Sequence, residues 1–181
     1  MAIKSTIYKI DMQIANIDDN YYADHNLTIA SHPSENEERM MVRLLAFALN
    51  SSESLQFGNG LTDPDEADIW EKYLTGSIKL WIDMGQPEEK TILKACGKSE
   101  KVKIYTYKSN SCQWWDSVVS KLTRAKNLEV YHIEPKSVDS LSEMVEKSMS
   151  LLYTIQDDEI WVRDNKDRSV NVKMKTLFSK D

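Results

Sequence analysis

DEADIWEKYLTGSIKLWIDMGQPEEK, residues 65–90, alternates apolar and polar side chains on both sides of a Thr75-Gly76 pair. Such alternation predicts two antiparallel strands joined by a tight turn, for which glycine supplies a positive φ. With a two-residue turn, each residue faces the partner whose number adds to its own to give 151. Asp68 then faces Asp83, and both aspartates lie at the open end of the hairpin.

The same register predicts one polar side and one apolar side of the hairpin, and the apolar side should pack on the core. The remaining facing pairs are Trp70 with Trp81, Lys72 with Lys79, Ile69 with Ile82, Glu71 with Leu80, and Tyr73 with Ile78. Directly opposed carboxylates repel each other, so the two aspartates need compensation. A Mg²⁺ or Mn²⁺ ion is one answer. A longer loop with a register slipped by one residue, which would point the aspartates to opposite faces, is the other.

A helix is predicted upstream of this hairpin, in PSENEERMMVRLLAFALN, residues 33–50. Ser34 followed by Glu37 has the spacing of a capping box. One buried face then continues at helical spacing through Met41, Leu44, Leu45 and Ala48. Glu38 lies on that stripe, whereas Glu35 and Glu37 are equally typical of first-turn acids that the helix dipole favours.

The rest of the chain adds strands and helices in mixed order. We predict an N-terminal hairpin over 3–31 that turns near residues 18–20, a helix over 87–98 that stops at Gly97, and a strand at KVKIYTY. A helix from Gln113, a strand at NLEVYHI, a helix through Val138, Leu141, Val145 and Met149, and a hairpin that turns at residues 164–167 follow. With roughly seven to nine strands and about four helices, the pattern predicts an α/β fold, a mixed sheet flanked by helices.

Length and charge limit the class of protein. A chain of 181 residues fits a single domain, 1–181, with enough core to need neither disulfides nor a structural metal. Cys96 and Cys112 are therefore expected as reduced thiols. The net charge of −6 argues against a protein that coats nucleic acid non-specifically, although a local basic patch is compatible with it. Without a membrane-length apolar run or a signal-peptide h-region, the expected location is cytoplasmic.

Several stretches resemble the YaeQ family of bacterial proteins. They are STIYK (5–9), YYADHNLTIA (21–30), SENEERMMVRLLAFALN (34–50), GLTDPDEADIW (60–70), LTGSIKLWIDMGQPEEKTILKACGK (74–98) and the pair Trp114-Trp115. The similarity extends from Ser5 to about residue 130, with a weaker match at TIQDDEIWV. The order helix, three strands, helix, strand over residues 34–107 also resembles the restriction-endonuclease-like αβββαβ core of the PD-(D/E)XK nucleases, with residues 108–181 as a C-terminal addition.

The nuclease resemblance implies a site with acids on the first helix and on two strands. Glu38 matches the helix acid, Asp68 the strand aspartate and Asp83 the third-strand acid, and the three would hold Mg²⁺ or Mn²⁺. The lysine of the motif falls on Gly85, which departs from the pattern. In some relatives that lysine has moved to the following helix, where this chain has Lys94, which we favour, and Lys90.

Gln86 and Glu35 are expected to line the same site. The activity implied is metal-dependent hydrolysis of a nucleic-acid phosphodiester, without a covalent intermediate. Each residue also has an ordinary structural interpretation: lysines on a helix are usually solvated, and Asp63 and Asp65 are typical turn formers. A binding module that keeps the nuclease fold without its chemistry, and a protein-interaction factor, therefore stay open as alternatives.

Overall fold

The protein is described here by a computed structural model that defines residues 4–180. The contacts between its residues divide the chain into two compact units. Unit 1 contains the residues up to 49 together with 136–173, and unit 2 contains residues 50–135 together with those from 174 onward. Neither unit is continuous in sequence, because the C-terminal third of the chain contributes to both. The single-domain organisation stays a prediction.

Eleven strands and four α-helices form within residues 4–180. They are β1 Thr6–Asn16, β2 Tyr21–Ser31, α1 Glu37–Leu49, β3 Leu55–Phe57, β4 Ile69–Lys72, β5 Ile78–Met84, α2 Glu89–Lys98, β6 Ser99–Thr106, α3 Ser111–Val118, β7 Leu128–Ile133, α4 Pro135–Ser142, β8 Ser148–Gln156, β9 Glu159–Asp164, β10 Ser169–Val172 and β11 Met174–Ser179. The α/β class, with mixed sheets and flanking helices, is therefore confirmed, but the strands form two sheets where one was predicted.

Unit 1 contains a five-stranded mixed sheet with the order β10-β9-β8-β1-β2. β1 pairs antiparallel with β2 and parallel with β8, and its alternate residues Ile10, Met12 and Ile14 are buried. The predicted N-terminal hairpin is therefore confirmed over residues 6–31, while residue 3, where the prediction began, lies outside the described residues. α1 belongs to the same unit and is buried at every position from 40 to 48, where the sequence predicted a single buried face.

The predicted capping box at the start of α1 is wrong. Asn36 caps the helix instead, since its side-chain oxygen accepts the N–H of Arg39 at 2.8 Å. The backbone N–H of Ser34 donates to Nδ1 of His32 at 3.0 Å, within a turn that precedes the helix. Ser34 thus lies too early in the chain to cap α1.

Unit 2 contains a six-stranded mixed sheet with the order β11-β7-β6-β5-β4-β3. β3, β4 and β5 are antiparallel neighbours, whereas β5, β6 and β7 run parallel, which requires the connections that contain α2 and α3. One core cluster joins strand residues with residues of α2 and α3, and its buried members include Trp81, Ile92, Ile104, Trp115 and Leu122.

The β4–β5 hairpin keeps the predicted register although its turn differs from the predicted one. The N–H of Gly76, at φ +90°, donates to Tyr73 O, and the N–H of Tyr73 donates to Ser77 O, both at 2.9 Å. Three loop residues therefore replace two. A bulge at Lys79 shifts the pairing back, so that Ile69 faces Ile82, Trp70 faces Trp81 and Glu71 faces Leu80 as predicted; the Lys72–Lys79 and Tyr73–Ile78 pairs are wrong.

Three other sequence predictions need correction. Gly97 lies inside α2, which leads directly into β6 through an extended Ser99. The helix predicted from Gln113 starts at Ser111 and tightens into a 3₁₀ turn after Val118. The helix predicted through Met149 ends at Ser142, because residues 148–156 alternate between buried and more exposed positions as β8.

The C-terminal hairpin turns where the sequence predicted, between β9 and β10. After β10 the chain leaves that sheet, and β11 pairs antiparallel with β7 in unit 2. Within residues 4–180, no helix has both the length and the apolar character needed to cross a membrane.

Candidate functional site

The open end of the β4–β5 hairpin brings Asp68 and Asp83 together. The side chain of Asp68 is buried, and its Oδ2 accepts the N–H of Met84 at 3.0 Å. Oδ1 of Asp83 accepts the N–H of Asp68 at 3.2 Å, while its Oδ2 accepts the indole N–H of Trp81 at 2.9 Å. The carboxylate of Asp68 therefore bonds to β5, and the carboxylate of Asp83 bonds to the residue that precedes β4. This is the neighbourhood that the predicted register requires.

These N–H donors offset part of the repulsion between the two carboxylates. Hydrogen bonds to an ionised carboxylate are stronger than those between neutral groups. Two backbone amides and one indole ring fix the orientation of both side chains. A cation is thus one source of compensation among several, and the metal site stays a prediction.

Asp68 and Asp83 would suit a metal ion whose coordination shell is completed by other ligands. Mg²⁺ is commonly held by one or two carboxylates, with water and substrate phosphates at the remaining positions. Within residues 4–180, no group of three or more His, Cys, Asp or Glu side chains is arranged to hold a metal ion. The hard oxygens of Asp68 and Asp83 fit Mg²⁺ or Mn²⁺ as this incomplete, substrate-completed kind of site.

A tightly packed loop positions Asp68. The N–H of Gly58 donates to Asp68 O at 2.9 Å, and the N–H of Gly60 donates to Ala67 O at 3.1 Å. A Cβ on Gly58 would lie 2.2 Å from Ala67 O, and one on Gly60 would lie 2.6 Å from Asp68 N. Only glycine allows the backbone to approach this closely. This role was not predicted, although the Gly-Asn-Gly spacing at residues 58–60 is a sequence signal of a turn.

Gly85 has a structural reason to differ from the nuclease motif. It follows the last residue of β5 with φ +93°, a backbone conformation that lysine adopts at a cost, and its N–H donates to Tyr105 O at 2.9 Å. The chain leaves the strand at this residue. A lysine here would have to adopt the left-handed conformation that glycine allows.

Lys94, the favoured replacement for that lysine, contacts Asp65 instead of the aspartate pair. Its Nζ lies 2.5 Å from Oδ1 of Asp65, and Nζ of Lys98 lies 3.7 Å from the same atom. The hydrogen bond and charge of Lys94, with the charge of Lys98, hold the pKa of Asp65 below its usual range. Asp63 is the turn former of this loop, since its Oδ1 accepts the N–H of Asp65.

Replacing Lys94 with methionine should raise the pKa of Asp65 toward its ordinary value. An acid whose pKa is lowered by folding stabilises the folded state at pH values above its unfolded-state pKa of about 4. This contribution is lost as the pH falls through the folded-state pKa. NMR titration of the Asp65 carboxyl measures the change directly. Lys90→Met is the matched control and should leave the titration unchanged; an equal shift in both variants would contradict the assigned ion pair.

Lys90 and Gln86 border a shallow cleft of about 330 Å³ in unit 2. The amide of Gln86 donates to Oδ1 of Asn110 at 2.7 Å, whereas Lys90 is exposed. Trp114 closes one side of the cleft, and its indole N–H donates to Pro87 O at 3.3 Å. The full lining is Gln86, Glu88, Glu89, Lys90, Trp114 and Val118.

The two predicted glutamates belong to unit 1, whereas the aspartates and lysines belong to unit 2. Glu38 is half-buried in the first turn of α1. Glu35 lies before the helix and is buried, with its carboxylate 2.9 Å from Arg43 Nη2 and 3.3 Å from Arg39 Nη1. This ion-pair network occupies Glu35, so a contribution to a ligand site stays a prediction.

A polar cluster lies on the face of the unit 2 sheet opposite to Asp83, and it was not predicted from the sequence. Nζ of Lys103 donates to Oδ1 of Asn50 at 2.7 Å, and the amide of Asn50 donates to the hydroxyl of Tyr105 at 2.8 Å. Burial raises the pKa of Tyr105. The alternation in KVKIYTY places lysine and tyrosine on one face and was the available signal.

Two mixed sheets with flanking helices define this chain as a mixed α/β protein. It belongs to the YaeQ family, because the family model described as YaeQ protein matches residues 1–174. The resemblance seen in the N-terminal and hairpin motifs is therefore confirmed at the level of the family.

Relatives and solved structures agree with this assignment. The chain is 41% identical to the YaeQ protein of Escherichia coli (strain K12) over 167 residues, which is 92% of each chain. The crystal structure of YaeQ from Xanthomonas axonopodis pv. citri is similar with a TM-score of 0.91 and 36% identity, over 97% of this chain and 99% of that one. That of YaeQ from Pseudomonas syringae has a TM-score of 0.92 and 31% identity over 97% of both.

Proposed function

We propose that this chain is a divalent-metal-dependent phosphodiesterase of the PD-(D/E)XK type that acts on nucleic acid. The observation that supports the proposal best is the pair Asp68 and Asp83, held side by side at the open end of β4 and β5. The order α1, β3, β4, β5, α2, β6 is also the order of elements in the restriction-endonuclease-like core. Function depends on the site, so the pair has more weight than the fold.

In this proposal, Asp68 and Asp83 bind the cation, and water molecules and substrate phosphates complete its coordination. A Mg²⁺ or Mn²⁺ ion, when bound, would lower the pKa of a water molecule and offset negative charge on the phosphate. The N–H groups of Met84 and Trp81 hold the carboxylates in fixed orientations, which lowers the reorganisation that binding requires.

A lysine from α2 offsets the negative charge that develops on the phosphate. The contact between Lys94 and Asp65 favours Lys90 for this role over Lys94. Lys90 is exposed and borders the cleft with Gln86, which follows Asp83 by three residues. The amide of Gln86 orients a substrate group at the same end of β5.

Metal titration and cleavage assays on matched variants test the proposal. Calorimetry with Mn²⁺ and Mg²⁺, followed by assays on single-stranded and double-stranded DNA and RNA, should show binding and cleavage for the wild type. The double variant Asp68→Asn/Asp83→Asn keeps side-chain shape and should lose both. Asp63→Asn, in the neighbouring turn, is the control and should retain both. Cleavage that survives in the double variant, or a wild type inactive on all four substrates with either metal, would overturn it.

A binding module that keeps this fold without hydrolysis is the second candidate. Three observations favour it: N–H donors already contact both oxygens of Asp83, Gly85 replaces the motif lysine, and Lys94 contacts Asp65. It predicts nucleic-acid binding without cleavage, and binding that the double asparagine variant retains.

A further inference from the structure

β2 forms one edge of the five-stranded sheet in unit 1. It has eleven residues, its pairing with β1 continues without a bulge from end to end, and it contains no lysine, arginine or proline. Sheet edges are normally protected by short length, bulges, proline or inward charge. The other edges of the two sheets follow that rule, because β3 has three residues, β10 has four and β11 is bulged.

The backbone groups of alternate residues in β2 point out of this edge. The N–H of Lys9 donates to Lys147 O at the start of β8, so odd-numbered residues of β1 direct their backbone groups toward β8. Even-numbered residues of β1 therefore bond to β2, and they face its odd-numbered residues, as Ile10 faces Leu27. The outward-pointing residues of β2 are Tyr22, Asp24, Asn26, Thr28 and Ala30, and all five are exposed.

We propose that two copies of this chain associate by antiparallel pairing of their β2 strands about a two-fold axis at Asn26. This register faces Tyr22 with Ala30, Asp24 with Thr28, and Asn26 with its own copy. Each facing pair would exchange two backbone hydrogen bonds, about ten in all. The five strands of each copy then form one continuous sheet across an isologous interface.

Charge and exposure favour this register over its neighbours. It pairs all five outward-pointing residues with one another and places no like charges opposite each other. A two-fold axis at Asp24 would instead oppose two carboxylates, which is unfavourable. Tyr22 is 61% exposed, and in the proposed pair its ring would cover Ala30 of the second copy. The second copy thus removes both an unprotected edge and an exposed aromatic ring.

Proline at position 26 tests the pairing. A proline is tolerated on an edge strand where the N–H points to solvent, so Asn26→Pro should fold normally by circular dichroism. It removes the central N–H and obstructs the approach of a second strand. Light scattering should give the wild type twice the chain mass of 20.9 kDa and the Asn26→Pro variant the chain mass alone. Asn26→Thr keeps the N–H and should remain dimeric.

Charge pairing tests the register separately. Asn26→Lys and Asn26→Asp each place like charges across the proposed axis, so each variant alone should dissociate at concentrations at which the wild type is dimeric. Mixing the two should restore a dimer, since lysine then faces aspartate. Ser150→Lys, on the same sheet face but on inner strand β8, should stay dimeric alone. A monomeric wild type, or two separate variants that remain dimeric, would overturn the proposal.

Discussion

Replacing Glu35 with alanine should lower the free energy of unfolding by about 3–5 kcal/mol, the range expected when one member of a buried ion pair is removed. The carboxylate of Glu35 is buried and lies within 3.3 Å of Arg39 and within 2.9 Å of Arg43. It also accepts the hydroxyl of Ser31 at 3.2 Å. The substitution leaves the guanidinium of Arg43, whose side chain is 10% exposed, without this carboxylate.

Chemical denaturation of matched variants measures this effect. Glu37→Ala removes an exposed acid two residues away, in the first turn of α1, and should change the free energy of unfolding by less than about 0.5 kcal/mol. Glu35→Gln keeps two polar groups in the site and should fall between the wild type and Glu35→Ala. An alanine variant at position 35 as stable as that at position 37 would contradict the assigned network.

The β4–β5 hairpin was predictable because strands have a period of two. Once Ile69 and Ile82 face the core, every neighbour on β4 and β5 has its side assigned. The predicted turn was wrong, yet the error did not propagate, because a bulge at Lys79 cancels the extra loop residue. Ile69 and Ile82 are buried on one face and Trp81 is buried on the other, so the predicted polar side is wrong at Trp81, and burial of both faces specifies the register more strongly than the turn does.

Contacts that depend on loop paths were not predictable. Lys94 and Asp65 are 29 residues apart and meet because the loop after β3 folds back over the start of β4. Glu35 precedes α1, so its contact with Arg43 depends on the turn at residues 32–36 and not on helical spacing. The predicted helix through Met149 was wrong for another reason, because a short apolar segment fits a helix and a strand equally well until its sheet partners are known.

Two glycine-to-alanine substitutions in unit 2 should change the free energy of unfolding in opposite directions. Gly58→Ala should lower the free energy of unfolding by about 1–3 kcal/mol, because the new Cβ would lie 2.2 Å from Ala67 O and one backbone segment must move. Gly97→Ala should raise it by about 0.5–1 kcal/mol, since Gly97 lies in α2 and, apart from its chain neighbours and the backbone of its own helix, no described atom lies within 4 Å of its Cβ position.

The effect of Gly58→Ala should extend to the aspartate pair. The N–H of Gly58 donates to Asp68 O, so displacement of the loop should also displace Asp68. Oδ2 of Asp68 in turn accepts the N–H of Met84. Hydrogen exchange at Met84 should therefore accelerate in Gly58→Ala and stay unchanged in Gly97→Ala. Faster exchange at Met84 in both variants would indicate a general loss of stability. A Gly58→Ala variant with wild-type exchange and stability would show that the close approach of the loop does not hold Asp68 in place.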